Sequence, residues 1–353
     1  MSALGAPVVL DGSHGEGGAA LVRTAIVMAA MTQQPVRVDF VRGRTPYPGL
    51  KPEDLMLLRA ACLLTQGEAV HAEPNSSSFS FLPVRPPKGM GLDLDVPDAA
   101  DGPGSANALV VANALIPLLA KTGVYTSLNV VGETHGAHVL SYDYFANVTL
   151  TAYRKLGIYC YPSLSVAGYG RHSRGEVAVE IEPSAIEPIR WGQRGKLIQV
   201  RAAVATSELP DTIAQRAVAH LARLGFYSNL KIDADIVRTK SKTPGAYVTV
   251  WAEFEGGVGG AAAIGAKGVR IESVAQTAFE SFNQWYCTDA TVDPFLADQI
   301  LVAAVRANGS SLFRTPLITK RLLTTIWVIK QFLPIRITVM GQENEPGTIS
   351  IGH

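Results

Sequence analysis

Two stretches of this chain repeat one order of predicted elements: strand, helix, strand, helix, strand, strand. Hydrophobic spacing defines the elements, and turn residues separate them. The first stretch has strand 7–10, helix 18–33, strand 35–41, helix 52–66 and strands 68–72 and 78–83; the second has strand 91–96, helix 105–121, strand 125–131, helix 139–156 and strands 158–166 and 175–182. Such a unit cannot cover both faces of its sheet, so we expect neighbouring units to pack their helices together.

The pattern changes after Pro183. Strands at 197–205, 229–237 and 246–254 and a helix at 210–224 predict a smaller α/β domain, which ends in a glycine-rich run. A third repeat follows, with strands at 261–264, 311–314 and 335–340 and helices at 270–286, 295–307 and 319–332. We therefore predict an α/β (α+β) fold with two repeats over residues 1–185, an inserted domain over 186–260 and the third repeat over 261–353. A single irregular α/β domain is the alternative.

The composition indicates a folded protein and limits how it could bind nucleic acid. The chain has 353 residues, 47% of them hydrophobic and 17% charged, which indicates a folded protein larger than one ordinary core. A net charge of +1 provides no global field that would recruit nucleic acid, so any polyanion must bind in a local groove. The cysteines, Cys62, Cys160 and Cys287, lie far apart and predict a reducing compartment. No signal peptide or membrane span is evident, and we expect a cytoplasmic protein.

A glycine-rich turn at residues 11–18 joins the first predicted strand to the first predicted helix. Backbone N–H groups at such a helix start can bind phosphate. Glu16 on the turn could hold a metal ion or a sugar hydroxyl, and Arg23, about two turns into the helix, could pair with phosphate. The alternative is a tight turn whose Glu16 complements the helix dipole, and the spacing alone favours this alternative.

Several patches together resemble one family. They are Asp11-Gly-Ser-His-Gly-Glu-Gly-Gly with Arg23, Val41-Arg42 with Pro48-Gly49-Leu50, Gly132-Glu-Thr-His135 with Asp143-Tyr144, Arg194-Gly195, Gly265 with Gly268, Phe295-Leu-Ala-Asp-Gln299 and Phe332-Leu-Pro334. Their order and spacing resemble the RNA 3′-terminal phosphate cyclase family almost from end to end. The resemblance implies three βαβαββ repeats similar to the C-terminal domain of translation initiation factor 3, with a smaller α/β domain inserted before the third.

The resemblance also implies an ATP-dependent reaction with Mg or Mn. In this family a histidine attacks the α-phosphate of ATP, AMP passes to an RNA 3′-phosphate, and the vicinal 2′-hydroxyl displaces AMP to leave a 2′,3′-cyclic phosphate. The implied partners are a nucleotide and RNA 3′ ends, with no membrane, and a homodimer stays open. Such chemistry needs a nucleophile and groups that neutralise phosphate charge.

Matching positions carry the family's roles onto this chain. Glu16 matches the metal-binding glutamate, Arg23 and Arg42 match arginines that hold phosphate, and Asp298 and Gln299 match the motif beside the active site. Other positions depart from the family pattern. They are Ala20 and Asn113, where the family has glutamines, Thr45 for an arginine, Glu133 for a glycine, Glu53-Asp54 for a Gln-His pair, and His172-Ser-Arg-Gly175 for a three-glycine hairpin. Asn113 stays a candidate for binding nucleotide or phosphate.

The largest departure lies at the nucleophile. Arg321 stands where the family has its histidine, and a guanidinium that stays protonated near neutral pH is not a nucleophile. Lys320, His14, His135 and His138 are substitute candidates, and for Lys320 and the two loop histidines we favour an ordinary surface or loop role. For Arg321 we favour phosphate binding or a structural role.

Three functional hypotheses follow. The hypothesis that we favour is a protein that binds a nucleotide and RNA 3′-phosphate ends, with lost or altered adenylylation chemistry. The alternative is an active ATP-dependent cyclase that uses a substitute nucleophile such as Lys320. The third is a different phosphate-ester or nucleotide reaction on the same scaffold, since a fold does not determine a function.

Overall fold

The computed structural model describes residues 6–95, 106–136, 139–170 and 173–352. Within these ranges the chain forms four mixed four-stranded sheets with helices packed against them. This arrangement confirms the predicted α+β class. None of the described helices is both long and apolar enough to cross a bilayer.

The first sheet follows the predicted order of elements closely. It contains β1 (Val8–Asp11), α1 (Ala19–Thr32), β2 (Val36–Asp39), α2 (Pro52–Thr65), β3 (Glu68–Val70) and β4 (Phe79–Leu82). The strands lie in the order β1-β2-β4-β3; β1 and β2 are parallel, and the other pairs are antiparallel. The parallel pair requires a crossover connection, and α1 provides it.

The second sheet has the same strand order and pairing. Its elements are β5 (Leu92–Asp95), α3 (Ala108–Leu119), a 3-10 turn (Ala120–Thr122), β6 (Thr126–Gly132), α4 (Tyr142–Tyr144), a π-helical turn (Phe145–Thr149), α5 (Leu150–Lys155), β7 (Cys160–Val166) and β8 (Gly175–Ile181). The order is β5-β6-β8-β7, with β5 parallel to β6. The predicted end of the first of these strands, at residue 96, lies outside the described residues.

The inserted segment forms a sheet of its own. After a short strand, β9 (Arg190–Trp191), come β10 (Leu197–Ser207), α6 (Asp211–Tyr227), β11 (Asp233–Arg238), β12 (Gly245–Phe254), β13 (Gly257–Ile264) and α7 (Ile271–Tyr286). The strands β10 to β13 lie in the order β11-β10-β12-β13. Val204, Leu221, Val250 and Phe282 belong to a hydrophobic core that is separate from that of the other sheets.

The last sheet combines strands from both sides of the insert. Its later elements are α8 (Leu296–Gln299), α9 (Leu301–Ala304), β14 (Ser311–Thr315), α10 (Lys320–Phe332), β15 (Arg336–Met340) and β16 (Gly347–Gly352). The order is β9-β14-β16-β15, with β9 parallel to β14 and the other pairs antiparallel. This is the order of the first two sheets, if β9 counts as the first strand.

The strand at 261–264, predicted as the first strand of the third repeat, does not belong to the last sheet. It is the second half of β13 and pairs with β12 in the sheet of the insert, while α7 packs on the same sheet. The glycine-rich run 256–260 was expected to end the insert, but Gly257, Gly259 and Gly260 lie inside β13, where close packing leaves no room for larger side chains. A Cβ atom on Gly259 would lie 2.7 Å from the Trp285 ring. We therefore propose that the insert extends through α7, and the division into domains stays a proposal.

The helices α2, α3 and α10 all pack against α1, which agrees with the expectation that neighbouring units pack their helices together. Leu21, Leu57, Leu109 and Ile329 belong to one buried hydrophobic core there. Because each buried aliphatic side chain contributes about 1.5–3 kcal/mol, this core is the main stabilising feature of that part of the chain. It also brings α1 and α10, which are some 300 residues apart in the sequence, into direct contact.

Candidate functional site

Arg321 lies in the first turn of α10, where Thr319 caps the helix by accepting a hydrogen bond from the Leu322 amide at 3.1 Å. Its Nε and one terminal nitrogen donate to Oδ1 of Asp298 at 2.8 and 2.7 Å. The guanidinium carbon lies 4.8 Å from the centre of the Phe295 ring. Phe295 and Asp298 are three residues apart at α8, so one helical turn presents a ring and a carboxylate to the same arginine.

The charge of Arg321 is fixed by its surroundings. Burial alone would lower the pKa of Arg321, but the Asp298 carboxylate and its hydrogen bond outweigh burial and raise it. Burial raises the pKa of Asp298, and Arg321 and Arg23 oppose that shift. The Asp298 side chain is only 7% exposed. The guanidinium therefore stays protonated and paired, and it has no free lone pair for attack on phosphorus.

Arg23 lies in the second turn of α1 and lines the same cleft as Asp298 and Arg321. Among the described residues it has no hydrogen bond or ion pair. Burial lowers the pKa of Arg23, and the carboxylate of Asp298 opposes the shift. A partly buried guanidinium without a counterion partner is costly unless an anion binds beside it, so this side chain is the clearest candidate for anion binding in the cleft.

The side-chain amides of Asn113 and Gln299, both of them predicted site residues, form another wall of this cleft. Gln299 donates to the Phe295 carbonyl at 2.9 Å, and its Oε1 accepts from Thr149 at 2.9 Å and from Asn113 at 3.5 Å. Asn113 in turn accepts from the Tyr153 hydroxyl at 2.8 Å. The cavity volume is about 70 Å³, which is well below the roughly 300–1,000 Å³ of small-molecule and cofactor sites.

A larger cavity of about 650 Å³ opens on the other side of Arg321, between the insert and the rest of the protein. Aromatic side chains from both parts line it: Tyr144, Tyr247, Trp285 and Phe295. Arg321 and Phe295 line both cavities, so the guanidinium lies at the boundary between them. This volume lies within the usual range for small-molecule sites.

The glycine-rich turn packs directly against α10. The Glu16 amide donates to the Thr324 hydroxyl at 3.0 Å, and Gly15, with φ of +62°, lies so close to Thr324 that a Cβ atom there would collide with its hydroxyl. Oε1 of Glu16 accepts from the Ala20 amide at 3.2 Å. Glu16 thus stabilises the start of α1, which is the alternative that the spacing alone favoured.

The metal assignment of Glu16 stays a prediction. No group of three or more His, Cys, Asp or Glu residues that could hold a metal ion occurs in the part of the chain that the structure describes. One carboxylate fits a Mg or Mn ion that takes its remaining ligands from nucleotide phosphates and water, since Mg²⁺ is commonly bound through one or two carboxylates together with substrate phosphates.

Arg42 does not line either cavity. Its Nε and a terminal nitrogen donate to Oδ2 of Asp54 at 3.2 and 2.7 Å, and the terminal nitrogen also lies 3.3 Å from Oε1 of Glu53. Arg42 is 9% exposed and Asp54 is fully buried. The two acidic residues that depart from the family pattern therefore bind the arginine that was expected to hold phosphate.

None of the substitute nucleophiles that the structure describes lines either cavity. Lys320 is exposed and does not contribute to the linings of the two cavities as far as the described residues define them. His14 stacks on Trp327 with the ring centres 3.9 Å apart. His135 is fully buried, with Nδ1 2.9 Å from the Thr134 hydroxyl and Nε2 3.5 Å from Oδ2 of Asp143. His138 lies outside the described residues.

Sequence reasoning missed two contributors to this site. Phe295 opens a family motif with no role assigned to it, and its place three residues before Asp298 is the signal that the two side chains share a helix face. Thr324 holds the glycine turn through a contact over some 300 residues, and no local signal in the sequence could reveal this contact.

The fold and this cleft define an α+β protein in which helices from different sheets bring two arginines and a buried carboxylate together. A family model described as RNA 3′-terminal phosphate cyclase matches residues 14–339. The chain therefore belongs to the RNA 3′-terminal phosphate cyclase family, as its motifs predicted.

Individual relatives match over nearly the whole chain. A protein of Gloeothece citriformis named RNA 3′-terminal phosphate cyclase is 33% identical over 326 residues, covering 92% of this chain and 93% of the relative. Proteins of the same name from Methylococcus capsulatus and Pyrococcus furiosus are each 30% identical. The match to the Methylococcus protein covers 97% of this chain and 95% of that relative. The match to the Pyrococcus protein covers 98% of each chain.

Proposed function

We propose that this protein binds a nucleotide and RNA 3′ ends but does not form the covalent adenylate of the family reaction. One observation carries the proposal: at the position of the family histidine, a guanidinium is paired with Asp298 and lines both cavities. Such a group can bind phosphate oxygens through charge-assisted hydrogen bonds, but it cannot attack phosphorus. The alternative, an active cyclase that uses Lys320, receives no support from the described residues, because Lys320 is exposed and lies outside both cavity linings.

We assign ATP to the larger cavity and a single phosphate group of the RNA end to the smaller one, whose volume of about 70 Å³ has no room for a whole nucleotide. The aromatic walls of the larger cavity suit a base, and Arg321 at its boundary suits the phosphates. Glu16 would supply one oxygen ligand to a Mg or Mn ion that the phosphates carry. Arg23 in the smaller cavity would bind a phosphate of the RNA. The cytoplasmic location and the homodimer stay proposals.

Restoring the family residues tests whether the nucleophile is what the chain lacks. The single variant Arg321→His should not become labelled with α-³²P-ATP and Mg or Mn, because Ala20 and Asn113 still lack the amides of the family pattern. The triple variant Arg321→His, Ala20→Gln, Asn113→Gln should gain a covalent label, visible after denaturing electrophoresis. Label on the single variant would show that the rest of the site had kept its adenylylation machinery, contrary to this proposal.

A further inference from the structure

Strand β13 has a backbone edge that runs into the larger cavity. It is the outermost strand of the insert sheet and pairs with β12 on one side only. On its other side, the Val258 amide donates to the Thr291 carbonyl and the Gly260 amide donates to Oδ2 of Asp293, each at 3.0 Å. The chain around these two partners therefore covers the first half of the edge, and the second half continues into the lining of the larger cavity.

The alternation of an antiparallel ladder determines where the next backbone groups point. In such a ladder, every second residue directs both its N–H and its C=O away from the paired strand. Val258 and Gly260 do so, whereas the Gly265 amide donates to the Ala246 carbonyl beside β12 at 2.7 Å. The Gly260 carbonyl and the Ala262 amide therefore point away from β12, on the side of the cavity that both residues line.

These two backbone groups are accessible to a ligand. Among the described residues, no donor or acceptor outside the sheet pairs with the Gly260 carbonyl or the Ala262 amide. The stretch Gly260-Ala261-Ala262 has no side chain longer than a methyl group, so a flat ring can approach the backbone closely. Because an unpaired strand edge offers its backbone groups to any added partner, this edge presents a fixed acceptor and a fixed donor two residues apart.

A buried serine in the same cavity also lacks a partner. Oγ of Ser141 lines the cavity and has no hydrogen bond of good geometry with the described residues, although Ser141 is only 1% exposed. The Tyr247 hydroxyl is its neighbour: burial raises the pKa of Tyr247 to about 12, and the Ser141 hydroxyl opposes the shift. Buried polar side chains are nearly always hydrogen-bonded, so this hydroxyl is a separate indication that the cavity takes a polar ligand.

We propose that the free edge of β13 reads the base of the nucleotide and selects adenine over guanine. The Gly260 carbonyl accepts from the 6-amino group of adenine, and the Ala262 amide donates to N1, which is an acceptor in this base. Guanine has O6 and N1–H at the same positions, so an acceptor faces the carbonyl and a donor faces the amide. A site built on such hydrogen bonds rejects a ligand that leaves its polar groups unpaired. This inference rests on the proposed binding of ATP in the larger cavity.

Three nucleotides test the inference on the unaltered chain. Isothermal titration calorimetry in the presence of Mg²⁺ compares ATP with GTP and with 1-deaza-ATP, in which a C–H group replaces N1. We expect 1-deaza-ATP to bind about tenfold more weakly than ATP, and GTP to bind about 30-fold more weakly, because each lost hydrogen bond leaves a polar group unpaired. Equal affinities for ATP and 1-deaza-ATP, or for ATP and GTP, would overturn the inference.

A proline substitution removes the amide that reads N1. Ala262→Pro takes one N–H from an edge strand, where proline is tolerated because no hydrogen bond of the ladder is lost. It should weaken ATP binding about tenfold and leave the binding of 1-deaza-ATP unchanged, since that ligand has no acceptor for the amide. The matched control, Ile264→Pro, removes the next outward amide of the same edge at a residue that does not line the cavity, and should change neither affinity.

The outcomes separate this inference from the proposed function. A folded Ala262→Pro variant that binds ATP as tightly as the unaltered chain would contradict the assignment of the amide; circular dichroism verifies the folding. If that variant does not fold, the comparison of the three nucleotides on the unaltered chain still decides. Absence of ATP binding would refute the proposed function as well, whereas ATP binding that ignores the base would refute this inference alone.

Discussion

Replacing Arg23 with methionine is expected to weaken RNA binding about 30-fold without lowering the melting temperature. Arg23 has no hydrogen bond or ion pair within the described residues, so its replacement by methionine breaks neither kind of contact and relieves the burial of a charge. A hydrogen bond to a charged group contributes about 1.5–3 kcal/mol, which corresponds to roughly 10- to 150-fold in affinity. Fluorescence anisotropy gives the affinity, and thermal denaturation gives the stability.

Arg37→Met is the matched control for this change. Arg37 lies on β2, the strand that follows α1; its side chain is 56% exposed, and it pairs with Asp39 on the surface. Its replacement should change RNA affinity less than about threefold at physiological salt, since exposed charges are screened. If both variants lose affinity equally, Arg23 has no special part in binding. A large drop in stability with Arg23→Met would show a structural role instead.

Replacing Asp298 with alanine is expected to lower the free energy of unfolding by about 3 kcal/mol. The change leaves the buried guanidinium of Arg321 without its carboxylate, and removing one partner of a buried ion pair typically costs about 3–5 kcal/mol. We choose the lower end of that range because the Arg321 side chain is 27% exposed. Urea denaturation followed by circular dichroism measures the change.

The double variant separates the ion pair from simple packing. Removing both charges with Asp298→Ala and Arg321→Met should restore part of the loss, because no uncompensated charge then stays buried. Losses of the two single variants that simply add in the double variant would show that the ion pair contributes nothing. The expectation depends on the short contacts of both guanidinium nitrogens with Oδ1 of Asp298.

Most of the elements could be predicted from the sequence because their hydrophobic periods are long and clear. The exceptions have physical reasons. Strand β9 has two residues and therefore no period, and β13 begins with glycines that a turn would also favour. Strand β16 was not predicted, although Thr348-Ile349-Ser350-Ile351 alternates, because four residues next to a polar loop are a weak signal. Pairing partners over long separations, such as β9 with β14, require the folded structure.

The site was predictable only as far as the family motifs reached. They placed Arg23, Asp298, Gln299, Asn113 and Arg321 in one active site, and these side chains do line one cleft; their functional roles stay predictions. The same motifs assigned phosphate binding to Arg42, whose guanidinium is bound by Glu53 and Asp54. The sequence showed two new acidic residues there, but ion-pair geometry depends on the left-handed backbone of Arg42, with φ of +53°, and on the position of α2.

The decisive measurement is transfer of α-³²P-labelled adenylate to the unaltered protein. The chain is incubated with labelled ATP and Mg or Mn, denatured and separated by electrophoresis, with a family relative that has the histidine as positive control. We expect ATP to bind at equilibrium in a parallel assay and no label to stay on the denatured chain. A stoichiometric label on the unaltered chain would contradict the account, because a nucleophile other than the paired guanidinium would then carry the family reaction.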